Sequence, residues 1–321
     1  MPKPKHLSIA LGAPFLLVVS LFLAGCTPAK TPLNIAGNTW LGYQPMYIAH
    51  GMNLCKNCEH RRVYRNEVPL NFTMLPSTSL TLRLFTTGEL DGALLTLDEA
   101  LNLQRRTNMD LCVAQVLSYS EGADAVLTLP NFDATQKIRF GYEQTALGGY
   151  MASRAAQVLG WSSDNIETEF VVPRAHVNAL LENEIDAVVS YEPYISLLRG
   201  QGAQVVFSSA DIPGEVLDVL VVTRAVWREH KPLLQWLETN FWPAGLAALS
   251  SGNEETMRWL SQQTELSSVE LGRSLAGIHF ITPDETQSVS LQTAVDRIGS
   301  FMQAQGRAFP AEPLTLCSEA D

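Results

Sequence analysis

Positive charge is scarce in this sequence: 22 lysines and arginines stand against 33 aspartates and glutamates, a formal net charge of −11. An acidic surface repels phosphate backbones and anionic headgroups, so nucleic acid is not expected as a partner. Histidine is thin as well. The six, His6, His50, His60, His176, His230 and His279, are scattered, and none joins a Ser/His/Asp or Cys/His arrangement of recognisable spacing. No catalytic residue is assigned. Cysteine is limited to five positions. Of these, Cys55-Lys-Asn-Cys58 invites thoughts of haem or zinc. Haem attachment needs histidine directly after the second cysteine, where Glu59 stands, with His60 one position late. A zinc site needs a second ligand pair, and none is evident. Neither cofactor nor metal is expected. Long apolar runs are absent beyond residue 23. What remains is ordinary for a globular protein, with 46% apolar residues and interspersed charge.

The exception is the first segment. Lys3, Lys5 and His6 precede an uncharged run from Leu7 to Leu23 that ends in Leu23-Ala24-Gly25-Cys26. A basic start, an apolar middle and small residues at the cut have the form of a secretory signal over residues 1–25. The Leu-Ala-Gly-Cys ending resembles the lipobox of bacterial lipoproteins. That resemblance implies cleavage before Cys26, a diacylglycerol on its thiol and an acylated new N-terminus, hence a cell-envelope location with membrane contact through this anchor. The competing reading is an uncleaved membrane span, since the run is nearly long enough. An exported chain meets an oxidising compartment, so Cys55, Cys58, Cys112 and Cys317 are expected in disulfides. Three connectivities stay open.

Residues 26–32 read as a tether. The rest alternates strand and helix. Strand signals occur at Leu33–Ala36, Leu70–Met74, Leu90–Leu95, Cys112–Leu117, Ala125–Leu129, Lys137–Gly141, Thr168–Val172, Ile185–Val189, Val205–Val206 and Val216–Val222. Helical patterns fall between many of them, several opened by hydroxyl residues or proline. The final hundred residues show amphipathic helices and no clear strand; their tryptophans read as core. The pattern predicts an α/β protein of two lobes, each a parallel-rich sheet flanked by helices. Two chain crossings, near 118–125 and 213–222, make a two-stranded hinge. The predicted partition is lobe 1 at 33–120 plus 222–321 and lobe 2 at 121–221.

The order of several short pieces then carries a family resemblance. They are Trp40-Leu-Gly-Tyr43-Gln44-Pro45, Ser77-Thr78-Ser79, Gly88-Glu-Leu-Asp-Gly92-Ala93, Ser120-Glu-Gly-Ala-Asp124-Ala125, Tyr191-Glu192-Pro193-Tyr194 and Pro213-Gly-Glu-Val-Leu-Asp218. Together they resemble the solute-binding proteins of ABC importers for sulfonates, taurine, nitrate and thiamine-type pyrimidines. The resemblance implies a type II periplasmic-binding fold with a small-molecule ligand between the lobes and an ABC permease as partner.

In such sheets ligands sit beyond the carboxyl ends of strands, where helix N-termini point. Tyr43 and Gln44, then Ser77 and Thr78, then Gly148, Gly149 and Tyr150 occupy turns of this kind. Their free N–H groups favour an anionic or strongly polar head. Trp40 and Tyr43 are expected to line the apolar part of the cleft, faced by Tyr191. Thr96, Ser120, Arg174, Glu192 and Asp218 complete the candidates. Each has a plainer reading. Ser77 to Ser79 also suit a helix cap, Arg174 a surface charge, Glu192 a solvated strand end and Asp218 a hinge contact. His176 has a weaker claim still.

The expected function is capture of a small organic solute by hinge closure, delivered to a permease. A ligand-sensing lipoprotein serving an envelope signalling partner requires the same cleft. An enzyme on the same fold is the remaining alternative, and nothing in the residues supplies its chemistry. The scarcity of arginine and lysine at the proposed strand ends argues against a small inorganic anion and for a ligand with an aromatic or aliphatic body.

Overall fold

A computed structural model of the chain describes residues 1–2, 32–57, 70–285, 290–306 and 314–318. The expected signal segment beyond Pro2, the lipid site at Cys26, the tether before Pro32, and Cys58 lie outside the described residues. Among the described residues no helix is long and apolar enough to cross a membrane.

The first sheet has six strands: β1 (Leu33–Gly37), β2 (Leu70–Met74), β3 (Gly92–Thr96), β4 (Leu111–Ser120), β10 (Leu217–Thr223) and β11 (Ile278–Phe280). Their order is β11-β4-β10-β3-β1-β2. The second sheet has five: β5 (Asp124–Thr128), β6 (Ile138–Tyr142), β7 (Ile166–Phe170), β8 (Ala187–Tyr191) and β9 (Gln204–Ser208), ordered β7-β6-β8-β5-β9. Both sheets are mixed. Strands β1, β2 and β3 pair in parallel, as do β6, β7 and β8. The strands adjoining the lobe crossings, β4, β10 and β5, pair antiparallel with their neighbours.

Two corrections to the sequence reading follow. The final hundred residues do hold a strand, β11, whose three residues pair with the end of β4. It is too short to alternate visibly. The return crossing also ends earlier than the expected break at 221/222. Strand β10 pairs along its length with β3 and β4, so the second sheet closes at Ser208 and the first resumes at Leu217.

The apolar pattern explains how the first sheet is covered. In β10, Val219 and Val221 join one buried cluster, while Leu220 and Val222 join another on the opposite face. That alternation is the period of two of a strand covered on both sides. One face meets α1 (Gln44–Gly51), α7 (Arg224–Trp236) and α8 (Trp242–Ser251), where Trp227, Trp236 and Trp242 are buried as expected. Helix α8 approaches α1 so closely that a Cβ on Gly245 would lie 1.9 Å from the Pro45 carbonyl oxygen. The other face meets α2 (Thr78–Thr86) and α3 (Leu97–Thr107). The apolar cluster on this side continues into the second lobe through α4 (Ala146–Leu159). Helix α11 (Leu291–Ala304) joins it with Leu291, Val295, Ile298 and Met302. The outer face of the second sheet is covered by α5 (His176–Leu181) and α6 (Tyr194–Gly200). Helices α9 (Glu254–Thr264) and α10 (Ser268–Leu275) complete the first lobe.

Helix starts carry ordinary caps. Ser77, Thr145, Asn253 and Ser267 each accept a backbone N–H of the following turn. The disulfide left open by the sequence is Cys112–Cys317, 205 residues apart. It pins the segment around Leu316, which pairs in parallel with Val113, to the start of β4. Cys55 is also disulfide-bonded.

Candidate binding cleft

Topology delivers the cleft residues. In the first lobe the parallel strands β1, β2 and β3 end at one edge, so the residues after them, Asn38, Trp40 and Thr78, and the last residue of β3, Thr96, emerge together. Strand β10 runs the other way, and its beginning arrives at the same edge: Asp218 pairs with Thr96. The second lobe repeats the device. Strands β6 and β8 end at Tyr142 and Tyr191, and antiparallel β5 begins beside them, with Asp124 paired to Tyr191.

Between these edges lies a cavity lined by Asn38, Trp40, Tyr43, Thr78, Thr96, Glu99 and Asp218 from the first lobe. The second contributes Asp124, Glu143, Thr145, Leu147, Gly148, His176, Val189, Ser190 and Tyr191. It encloses about 40 Å³. At 10–15 Å³ per water that is room for roughly three. The lobes therefore stand nearly shut. Trp40 and Tyr191 meet edge to face across the gap, with centroids 6.0 Å apart. Glu143 reaches from the end of β6 to the start of α2, where the Ser79 N–H and hydroxyl both donate to its Oε1 at 2.7 Å.

The polar groups are unequally satisfied. Asp218 accepts from the Ser118 hydroxyl at 2.6 Å, the Trp40 indole N–H at 2.9 Å and the Tyr43 hydroxyl at 3.3 Å. Burial nevertheless outweighs these donors and pushes its carboxyl up to about 7. Asp124 has the Ser120 hydroxyl for support; burial, and then the neighbouring Asp218 and Asp98 carboxylates, push it up to about 8. Burial also raises Glu99, helped by the adjacent Asp98 and by Glu143. His176 goes the other way, lowered by burial to about 4. Its Nε2 faces the Val171 carbonyl at 3.1 Å and its Nδ1 faces the Ser190 hydroxyl at 3.0 Å. A carbonyl can only accept, so Nε2 carries the proton and Nδ1 takes the Ser190 hydrogen. The ring is neutral and fully engaged.

No family model matches the chain, and no curated protein matches it by sequence. Solved structures match it by shape. The alkanesulfonate-binding protein of Xanthomonas axonopodis pv. citri, bound to MOPS, superposes with a TM-score of 0.71 over 89% of this chain and 96% of its own, at 15% identity. The periplasmic aliphatic sulphonate binding protein of Escherichia coli gives 0.68 over 89% and 95%, also at 15% identity. A Candida albicans protein with the generic periplasmic binding protein fold gives 0.66 over 88% and 92%, at 15% identity. The chain has the periplasmic-binding-protein fold. Its two lobes and two crossings are those of the type II arrangement that the sequence predicted.

Within that fold the structure sorts the expected site residues. Trp40, Tyr43, Thr78, Thr96, Gly148, Tyr191 and Asp218 line the cavity together. The others do not, each for a local reason. Gln44 folds back on its own turn, its amide nitrogen 3.4 Å from the Trp40 carbonyl. Ser77 is spent as the cap of α2, so the helix-cap reading holds for it. Ser120 bonds Ser209 at 2.8 Å, hydroxyl to hydroxyl, stitching one lobe crossing to the other. Gly149 is one helical step past Gly148 and faces away. Gly148 itself is packed so tightly that a Cβ would come within 2.4 Å of the Glu143 carbonyl oxygen. Tyr150 turns toward the back, stacking edge-on with Phe301 and donating to Glu215. Arg174 follows β7, the outermost strand of its sheet, and is exposed. Glu192 accepts the Ser196 N–H and hydroxyl at 3.1 and 2.9 Å, capping α6.

Of the N–H groups expected to be free at Ser77 to Ser79, that of Ser79 is taken by Glu143. Sequence reasoning missed Asn38, Glu99, Asp124, Glu143, Thr145, Leu147, Val189 and Ser190. Only Asp124 had a readable signal: an aspartate opening an otherwise apolar, buried strand.

Proposed function

We propose that this chain is the membrane-tethered solute-binding component of an ABC importer, capturing a small organic molecule as its two lobes close. The observation that carries the reading is the cavity itself. It lies between the strand ends of both sheets, ringed by Trp40, Tyr43 and Tyr191, next to two crossings short enough to act as a hinge. The ligand contacts in this reading are Trp40, Tyr43, Thr78, Thr96, Gly148, Tyr191 and Asp218. The protein supplies no chemistry: binding shifts the lobes toward closure, and the closed form presents a permease-docking surface. The structural neighbours named above are binding proteins, which supports the role without fixing a ligand.

The anchor belongs to the same proposal. Cleavage before Cys26 and lipid on its thiol hold the protein at the outer face of a membrane, and two or more acyl chains make that attachment stable. Mass spectrometry of the membrane-extracted protein is expected to find its N-terminus at Cys26 with diacylglycerol on the thiol. An N-terminus elsewhere, or an unmodified thiol, removes the lipid from the account. For the cleft, the test is a thermal-shift screen with sulfonates, nitrate, pyrimidines, flavins and organic ammonium and guanidinium compounds. A ligand at 100 times its Kd raises stability by about 2.7 kcal/mol. No shift with any compound, together with no change in lobe separation by fluorescence transfer, defeats the solute-binding reading.

A further inference from the structure

The cavity's charge inventory is one-sided. Among the described residues four carboxyl groups line it, Glu99, Asp124, Glu143 and Asp218, and no lysine or arginine does. None of the four takes part in an ion pair among the described residues. Asp98 adds a buried carboxyl behind the wall, one of its oxygens without a hydrogen-bond partner. His176 offers no compensation, since its ring is neutral and bonded at both nitrogens.

Two further observations point to a guest. Tyr191 is 9% exposed and lines the cavity, yet its hydroxyl lacks a partner. It lies near the Thr39 hydroxyl without forming a well-aligned bond, and that hydroxyl is unsatisfied too. Buried polar groups are nearly always paired, and the Tyr191 hydroxyl, on the cavity wall, is placed to accept from a guest. Second, the start of α2, which could welcome an anionic head, is already engaged. Glu143 of the opposite lobe receives both Ser79 donors. An incoming sulfonate would have to displace it and then sit beside Glu99 and Asp124.

We propose that the solute is an organic cation. Building on the solute-binding reading, an ammonium, amidinium or guanidinium head lies against Asp124 and Glu99, and the rings of Trp40, Tyr43 and Tyr191 contact its body. A cation is attracted to the face of Trp and Tyr rings as well as to carboxylates. The space available admits a head of a few atoms, and a larger body requires the lobes to part. Glu143 acts as a built-in counter-selector, holding the place an anion would need.

The test uses the mature protein and two pairs of matched probes: methylguanidine against methanesulfonate, and benzamidine against benzenesulfonate, with uracil as a neutral compound. Calorimetry and thermal shift are expected to detect the cations and not the sulfonates. Asp124→Asn is expected to weaken cation binding about tenfold or more, while Glu169→Gln, which removes an exposed carboxylate elsewhere, leaves it unchanged. Glu143→Ala is expected to admit methanesulfonate. Circular dichroism and unfolding midpoints of each variant confirm that a folded cleft was tested. Binding of the sulfonates or uracil without the cations overturns the charge assignment and leaves the solute-binding reading standing. Silence from every probe, and from the wider screen above, overturns both. Equal losses in Asp124→Asn and Glu169→Gln would reduce the effect to general electrostatics and overturn the proposed contact.

Discussion

The two walls of the cleft are built by the same device and finished differently. Each lobe brings an aspartate to the gap at the start of an antiparallel strand, Asp218 on β10 and Asp124 on β5. Asp218 is held by three donors from its own lobe. Asp124 has Ser120 alone, and its carboxyl is pushed higher, to about 8 against about 7. Asp218 is thus the better supported of the two carboxyls, although its wall also holds oxygens of Thr39 and Asp98 that lack a hydrogen-bond partner. The difference teaches where binding energy is stored: burying a carboxylate without enough donors is costly, and a guest that supplies them recovers that cost.

The largest expected effect comes from removing the support of Asp218. Trp40→Ala removes the ring that meets Tyr191 and one donor to Asp218, and is expected to lower unfolding free energy by about 3–5 kcal/mol in a denaturant titration. A change below about 1 kcal/mol would mean the wall does not depend on it. Next, Asp218→Asn replaces one acceptor oxygen by a donor facing donors, and a loss of about 1–3 kcal/mol is expected. Asp124→Asn, which removes an ill-supported charge, is expected to leave the empty protein's stability at pH 8 unchanged or higher. Similar losses in both variants would erase the contrast.

The comparison is sharpened by pH. Both carboxyls have folded values above the ordinary carboxylate range near 4, so between these limits the folded state holds protons that the unfolded chain has released. Stability of the empty protein is therefore expected to fall as pH rises, by at most about 1.4 kcal/mol per pH unit for each group. Asp98, raised to about 6, and Glu99 act in the same direction. His176 opposes them only up to its ordinary value near 6.5, because its folded value is lowered to about 4. Above pH 6.5 the decline is expected to be shallower in Asp124→Asn and in Asp218→Asn than in the parent protein, each having lost one raised carboxyl. Unfolding midpoints at half-unit steps from pH 5 to 9 measure it; identical curves would remove the distinction. A modest effect is expected at the hinge. Ser120→Ala loses the bond to Ser209 and is expected to cost about 1 kcal/mol, while shifting the pH curve of Asp124 further upward by removing its donor.

Much of this was legible along the chain, for reasons the residues show. Strands such as Leu217–Thr223 announce themselves because their apolar residues are consecutive and local. Trp40, Tyr43 and Asp218 were readable as residues of the gap because strand ends in α/β proteins converge there. Helical phase was not readable: the choice between Gly148 and Gly149, or between Thr78 and Ser77, depends on which side of a helix faces the gap. Glu143 was invisible for a different reason. Its partner, Ser79, is 64 residues away in the other lobe, and nothing local marks a carboxylate that will cap a distant helix.

By itself, then, the amino-acid order determined the alternation of strand and helix, the two sheets and the chain's double passage between them, because burial pattern and capping are short-range. Only the folded chain decided which carboxylates share the gap and which hydroxyls are left without partners. Those properties arise from the approach of residues far apart in the chain, across two lobes, in surroundings where water no longer screens them.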